Sequence, residues 1–167
     1  MLAVVRQGSR CWAGPAGFYH RGHVTLAPET IPMTITALPS LAQVQVHLPF
    51  ADAVTPCSSR GRFGWRITFP KSASQVPNEV LLLPEAQDLY VEKISMSPTK
   101  GGRGTVVLNR ICDLAQAMGY TSITCTPVMP GGEKLAQKFQ FLPLPGSPMC
   151  RLALPQAFRP PEKQVTW

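Results

Sequence analysis

The sequence predicts a single α/β domain, and three observations predict it. Between Leu89 and Gly119 a strand, a glycine loop and a helix follow one another. Short alternating runs recur on both sides of that unit, as half-buried strands require. An apolar content of 44% against 15% charged residues suits a globular chain. The 167 residues suffice for one domain that buries about two-thirds of its unfolded surface. Eighteen prolines make loops numerous and helices few.

Taken in order, residues 1–30 mix Arg6, Arg10, Gly14, Pro15, Gly17 and Arg21 with few acids and predict a partly ordered arm. Thr34 to Thr36 and Ala42 to Phe50 predict strands, the second because QVQVHLPF alternates with a period of two. Ala51 to Ser59 holds a short helical candidate interrupted by Pro56. Arg62 to Phe69 and Glu79 to Leu83 predict two more strands around a turn rich in Ser, Pro and Asn. Leu89 to Ser97 predicts a strand ended by Pro98, and Thr99 to Gly104 carries three glycines. Val107, Ile111, Leu114 and Met118 then recur at 4-3-4 spacing, one buried helical face. Tyr120 to Thr126 predicts a strand, Gly132 to Phe141 a short helix, and Met149 to Leu154 a last strand after the loop LPLPGSP. Residues 155–167 predict a tail.

The glycine loop has two readings. A loop that opens a helix points unpaired backbone N–H groups at one spot, where the helix dipole adds partial positive charge, and that spot favours phosphate. Lys100 and Arg103 flank it, and no acid lies between Glu92 and Asp113. Equally, the glycines serve a tight turn that needs positive φ. The surroundings favour a ligand site. Ile94, Met96 and Pro98, followed by Gly102 and Gly104, make an apolar-x-apolar-x-Pro run leading into x-x-Gly-x-Gly. This segment resembles the Gcn5-related N-acetyltransferase (GNAT) family, with Thr99 where that family carries Gln or Arg. The stretch GEKLAQKFQF is similar to the family's fourth helix: Lys138 and Phe141 match, while Gln140 replaces a glycine and Ala136 stands where the tyrosine general acid would be. The resemblance covers residues 89–154.

It implies a mixed, mostly antiparallel central sheet flanked by a few helices, here with reduced N-terminal helices. It also implies acetyl-CoA as co-substrate and transfer of an acetyl group to an amine of a small molecule or protein. The amides from Gly102 to Thr105, with Gly101 in the same loop, would grip the pyrophosphate, and Lys100 and Arg103 would add charge. The backbone of Ile94, Ser95, Met96 and Ser97 would pair with the pantetheine arm, and the Met96 amide would donate to the oxyanion. Glu92 and Asp88 are the candidate bases, since a free amine of pKa about 10 must lose a proton before it attacks; either is otherwise an ordinary surface acid. Tyr90 and Tyr120 are alternative acids.

Sixteen basic against nine acidic residues give a net charge of +7, which suits an anionic partner without choosing one. From Ala53 to Asn78 there is no acid, while Arg60, Arg62, Arg66 and Lys71 interleave with Phe63, Trp65 and Phe69. Such a mixture binds single-stranded nucleic acid weakly and non-specifically, or forms an edge hairpin with a solvated basic face, the reading favoured here. It supports a second functional reading: a catalytically degenerate binding module that engages nucleic acid or a protein partner through a basic N-terminal half. The five cysteines, Cys11, Cys57, Cys112, Cys125 and Cys150, are widely spaced and read as reduced thiols, with Cys125 a buried strand residue rather than an acyl-carrying nucleophile. His20 and His23 lack a third metal ligand nearby, so no metal is expected. Without a long apolar run or a signal-peptide core the expected location is cytoplasmic.

Overall fold

The computed structural model describes residues 39–70, 77–97 and 101–167. The chain divides at Pro32, and every described residue belongs to the unit Met33–Trp167. The predicted arm, the strand at Thr34 to Thr36, the His20/His23 pair, Cys11, Lys71 and Lys100 lie outside the described residues.

Among the described residues the architecture is α/β: a seven-stranded, mostly antiparallel sheet with three helices. The elements are α1 (Leu41–His47), β1 (Ala53–Ser59), β2 (Arg62–Thr68), β3 (Glu79–Glu85), β4 (Asp88–Ser95), α2 (Arg103–Ala117), β5 (Ser122–Cys125), α3 (Pro130–Lys138), β6 (Leu142–Pro143) and β7 (Cys150–Ala153). The strands lie in the order β1-β2-β3-β4-β5-β7-β6. All neighbours are antiparallel except β4 and β5, which run parallel and are joined through α2, because a parallel pair needs a long crossover connection. Two tight reversals close the first hairpins. Arg60 and Gly61, with φ of 53° and 76°, turn β1 into β2, and Ala86, with φ of 46°, turns β3 into β4.

Along β2, β3 and the first half of β4, alternate residues face one core: Trp65 and Ile67, Val80 and Leu82, Leu89 and Val91. Val107, Ile111 and Leu114 of α2 and Val44 and Leu48 beside them complete that core. Gly64 of β2 is required by packing, since a Cβ there would meet the Leu82 carbonyl oxygen and the Leu83 side chain of β3.

Two N-terminal expectations are corrected. Ala42 to Phe50 is not a strand, for Leu41–His47 is helical. Its signal is the capping box that Ser40 and Gln43 form, the Gln43 amide donating to Ser40 Oγ at 3.2 Å and the Ser40 amide to Gln43 Oε1 at 2.8 Å. Val44 and Leu48, four apart, are buried, while Val46 is 75% exposed; the alternation of QVQV was coincidental. Ala51 to Ser59, read as a weak helix, is instead the edge strand β1, where Pro56 is tolerated.

The end of the chain is corrected too. Residues 155–167 form a strap rather than a free tail. Arg159 holds the Asp113 carboxylate of α2 with both guanidinium nitrogens, at 2.9 and 2.7 Å. The fully buried Asn109 donates to the Pro160 carbonyl at 3.0 Å and to Glu162 at 3.1 Å. Trp167 stacks on Phe50 at 3.8 Å between centroids, and the Arg103 guanidinium lies 5.5 Å over its ring. The strap explains why α2 buries Asn109 beside its expected apolar face.

Candidate functional site

The pairing of β4 with β5 runs from Asp88↔Ser122 to Val91↔Cys125 and stops there, while β4 continues to Ser95. A cleft of about 570 Å³ opens where the two chains part. One wall runs from Val91, the last residue of β4 paired with β5, through Ser95 to Ser97; the opposite wall is Cys125 to Met129 with Gly131 and Gly132; Gly102, Gly104 and Thr105 of the α2 N-terminus close one end.

The wall of β4 carries a bulge. Leu81 faces Lys93 and Leu82 faces Val91, so Glu92 is the extra residue on β4. The bulge reverses the alternation: Leu89 and Val91 precede it in the core, and Ile94 and Met96 follow it on the same core side. The sequence predicts one unbroken strand from Leu89 to Ser97; the unread signal of the bulge is the break in alternation at Glu92 and Lys93. Glu92 itself lines the cleft. Its Oε1 accepts from Ser59 Oγ at 3.2 Å and lies 3.3 Å from Arg60 Nε. Its Oε2 is buried and meets no hydrogen-bond donor among the described residues, a costly state for a carboxylate oxygen unless a ligand or solvent donor completes it.

The other nominated residues divide. Ile94, Ser95, Met96, Ser97, Gly102, Gly104 and Thr105 line the cleft together. Gly102 is the N-cap of α2 with φ of 79°, the left-handed conformation that glycine adopts freely. The amides of Thr105 and Val106 both donate to the Gly102 carbonyl, at 3.0 and 3.2 Å. The amides of Arg103 and Gly104 therefore remain without an intrahelical acceptor. Gly101 lies beside the cleft, not in its wall. Arg103 is turned away from it: its guanidinium donates to the carbonyls of Ser97 and Thr166. Two lysines from remote segments reach the helix start. The aliphatic stem of Lys163 passes over Gly102, and Lys138 Nζ donates to Thr105 Oγ1 at 3.0 Å.

Asp88 is not brought to the cleft. It sits at the far end of β4, accepting from Ser122 Oγ and from Arg151 at 2.8 Å. Tyr90 is not in the cleft wall either, but its hydroxyl is 3.1 Å from Thr126 Oγ1, which is. Ala136 is a buried cleft-lining residue, so no phenol stands there. Sequence reasoning passed over the wall from Thr126 to Gly132, a loop that runs into the first turn of α3; two prolines and two glycines in seven residues mark a break in regular structure but not what it faces.

The basic, aromatic stretch is not an open stacking platform. Arg60, Arg62 and Arg66 are ion-paired with Glu92, Glu85 and Glu79. Trp65 and Phe69 are buried, leaving Phe63 exposed. The acids came from β3 and β4, distant in sequence, which is why a local count read the stretch as unopposed charge. Among the described residues no three His, Cys, Asp or Glu side chains gather as a metal site, and no helix is long and apolar enough to cross a membrane. No protein-family model and no curated protein matches the chain.

Proposed function

We propose that the protein is an N-acetyltransferase of the GNAT kind, which binds acetyl-CoA in the cleft between β4 and β5 and acetylates an amine. The observation that carries this reading is the parting of the one parallel pair of strands in line with a helix N-terminus. An extended pantetheine arm fits beside an unpaired strand edge, and a pyrophosphate fits at a helix start with free amides. The residues present suit the ligand: the edge from Ile94 to Met96 is in the wall, Gly104 leaves open space at the helix start, and Lys138 Nζ stands beside Thr105 there. When bound, acetyl-CoA supplies an activated thioester.

The chain's own groups then have distinct tasks. Met96 lines the cleft, and its amide would donate to the thioester oxygen as negative charge develops there. Glu92, with one oxygen held by Arg60 and Ser59 and the other unpaired, receives the ammonium of the acceptor and takes its proton. The negative carboxylate selects a cationic amine over a neutral alcohol. The cleft wall includes no tyrosine; departure of a thiolate of pKa about 8.5 needs less help from an acid than departure of an alkoxide.

Release of free thiol from acetyl-CoA in the presence of polyamines and lysine peptides tests the proposal. Glu92→Gln keeps the shape and removes the base; turnover is expected to fall about a hundredfold, as for loss of a general base. Thiol release with no amine in the panel, or an undiminished rate in Glu92→Gln, contradicts the assignment.

A further inference from the structure

Two thiols face each other across the end of the cleft. Cys125, the last residue of β5, and Cys150, the first of β7, are direct partners in the antiparallel register, and their sulfurs are 3.3 Å apart. The Leu154 amide donates to the Thr121 carbonyl four rungs away. Hydrogen-bonded and open rungs alternate along an antiparallel ladder, so the cysteine rung is of the hydrogen-bonded kind, with Cα atoms about 5.5 Å apart. That separation lies inside the range a disulfide spans, and closing the bond moves the sulfurs only to about 2.05 Å. Cys57 and Cys112, on β1 and α2, have no such partner among the described residues.

We propose that Cys125 and Cys150 form a cross-strand dithiol that small disulfide oxidants, of the glutathione class, close into a disulfide in the wall of the cleft. Cys125 lines the cleft and is the entry point; Cys150 lies behind it and resolves. Cys125 loses its proton and its sulfur attacks the oxidant's S–S bond, forming a mixed disulfide and releasing one small thiol. The Cys150 sulfur then loses its proton and attacks Cys125 Sγ, and the second small thiol leaves. Two protein thiols are oxidised to one disulfide, one small disulfide is reduced to two thiols, and the two protons end on those thiols. Burial raises the pKa of both cysteines, so the reaction is slow at neutral pH and quickens as the solution becomes alkaline. The inference does not depend on the acetyltransferase reading, because it requires only that the cleft admit the oxidant.

The test is incubation of the whole chain with oxidised glutathione in mildly alkaline buffer, followed by alkylation and non-reducing peptide mapping. The expected product is a cross-linked peptide pair joining Cys125 to Cys150, with the loss of two hydrogen atoms, formed faster as pH rises. In Cys150→Ser a persistent glutathione adduct on Cys125 is expected instead. The proposal is overturned if Cys125 and Cys150 remain alkylatable while Cys57 is modified, or if unaltered protein accumulates the Cys125 adduct without closing to Cys150.

Discussion

At the scale of single residues, the positions that matter most are those where a neighbour leaves no choice. Gly64 is one. A methyl group there would strike a backbone carbonyl of β3, which cannot rotate aside, so Gly64→Ala is expected to destabilise the fold by about 3 kcal/mol, the upper end of overpacking costs. Urea unfolding checks this, and a loss below about 1 kcal/mol would mean that β2 and β3 are less closely packed than described. Cys112 is a second. Burial in α2, with a smaller effect from Asp113, pushes its thiol up to about 12 from 9.0. Between those values the unfolded chain has released a proton that the folded chain keeps, so stability falls as pH rises. The stability advantage of the unaltered protein over Cys112→Ala is therefore expected to shrink above pH of about 9, approaching 1.4 kcal/mol per unit as a rough limit. Unfolding curves at successive alkaline pH values measure it; a constant gap would show that the thiol titrates alike in both states. Glu92 was nominated from its place before the apolar-x-apolar run, but its partners Ser59 and Arg60 sit thirty-odd residues upstream, beyond the reach of any local pattern.

At the scale of elements, what the sequence made legible and what it hid divide by a physical rule. β2 and α2 were readable because each buries mainly one face and so carries the period of its backbone, and β3, β4 and β5 because they are short apolar runs bounded by turn residues. α1 was missed because seven residues hold too few turns for a helical period to outweigh chance alternation; its start signal, Ser40 with Gln43, was the better guide. The strap at residues 155–167 was missed for a different reason. Its contacts are made singly, without period: Arg159 and Glu162 reach α2 some fifty residues away, and Trp167 stacks on Phe50 far upstream. Its anchor can be weighed. Stacking on Phe50 and the Arg103 contact each contribute about 1 kcal/mol, so Trp167→Ala is expected to cost about 2 kcal/mol in denaturant unfolding. No change in stability would mean that the strap merely rests on α2. The cleft was half legible: the β4 wall and the helix start carry a motif, whereas the wall after β5 is a loop that acquires meaning only from what it faces.

At the scale of the whole molecule, one topological feature organises the rest. Six strand pairings hold the sheet, five of them antiparallel, and the parallel one is short and central. An antiparallel neighbour can follow β4 to its end by a hairpin, but a parallel one begins wherever the crossover helix delivers it, and here β5 ends level with Val91. The unpaired edge beyond that point and the α2 N-terminus face the same space, so strand register and helix position together create the cleft. Within the net charge of +7, the arginines of the β1–β2 hairpin are paired with Glu79, Glu85 and Glu92 rather than unopposed, as the local sequence had suggested. Titration calorimetry of acetyl-CoA into the unaltered protein and into Gly104→Glu tests the central claim most directly. Gly104 has room for a small side chain, with Leu135 Cδ2 the nearest atom at 3.9 Å, so a glutamate there folds but projects its charge into the cleft at the helix start. The account predicts binding in the micromolar range for the unaltered protein and none for Gly104→Glu; no heat from the unaltered protein, or equal binding by both, would contradict it.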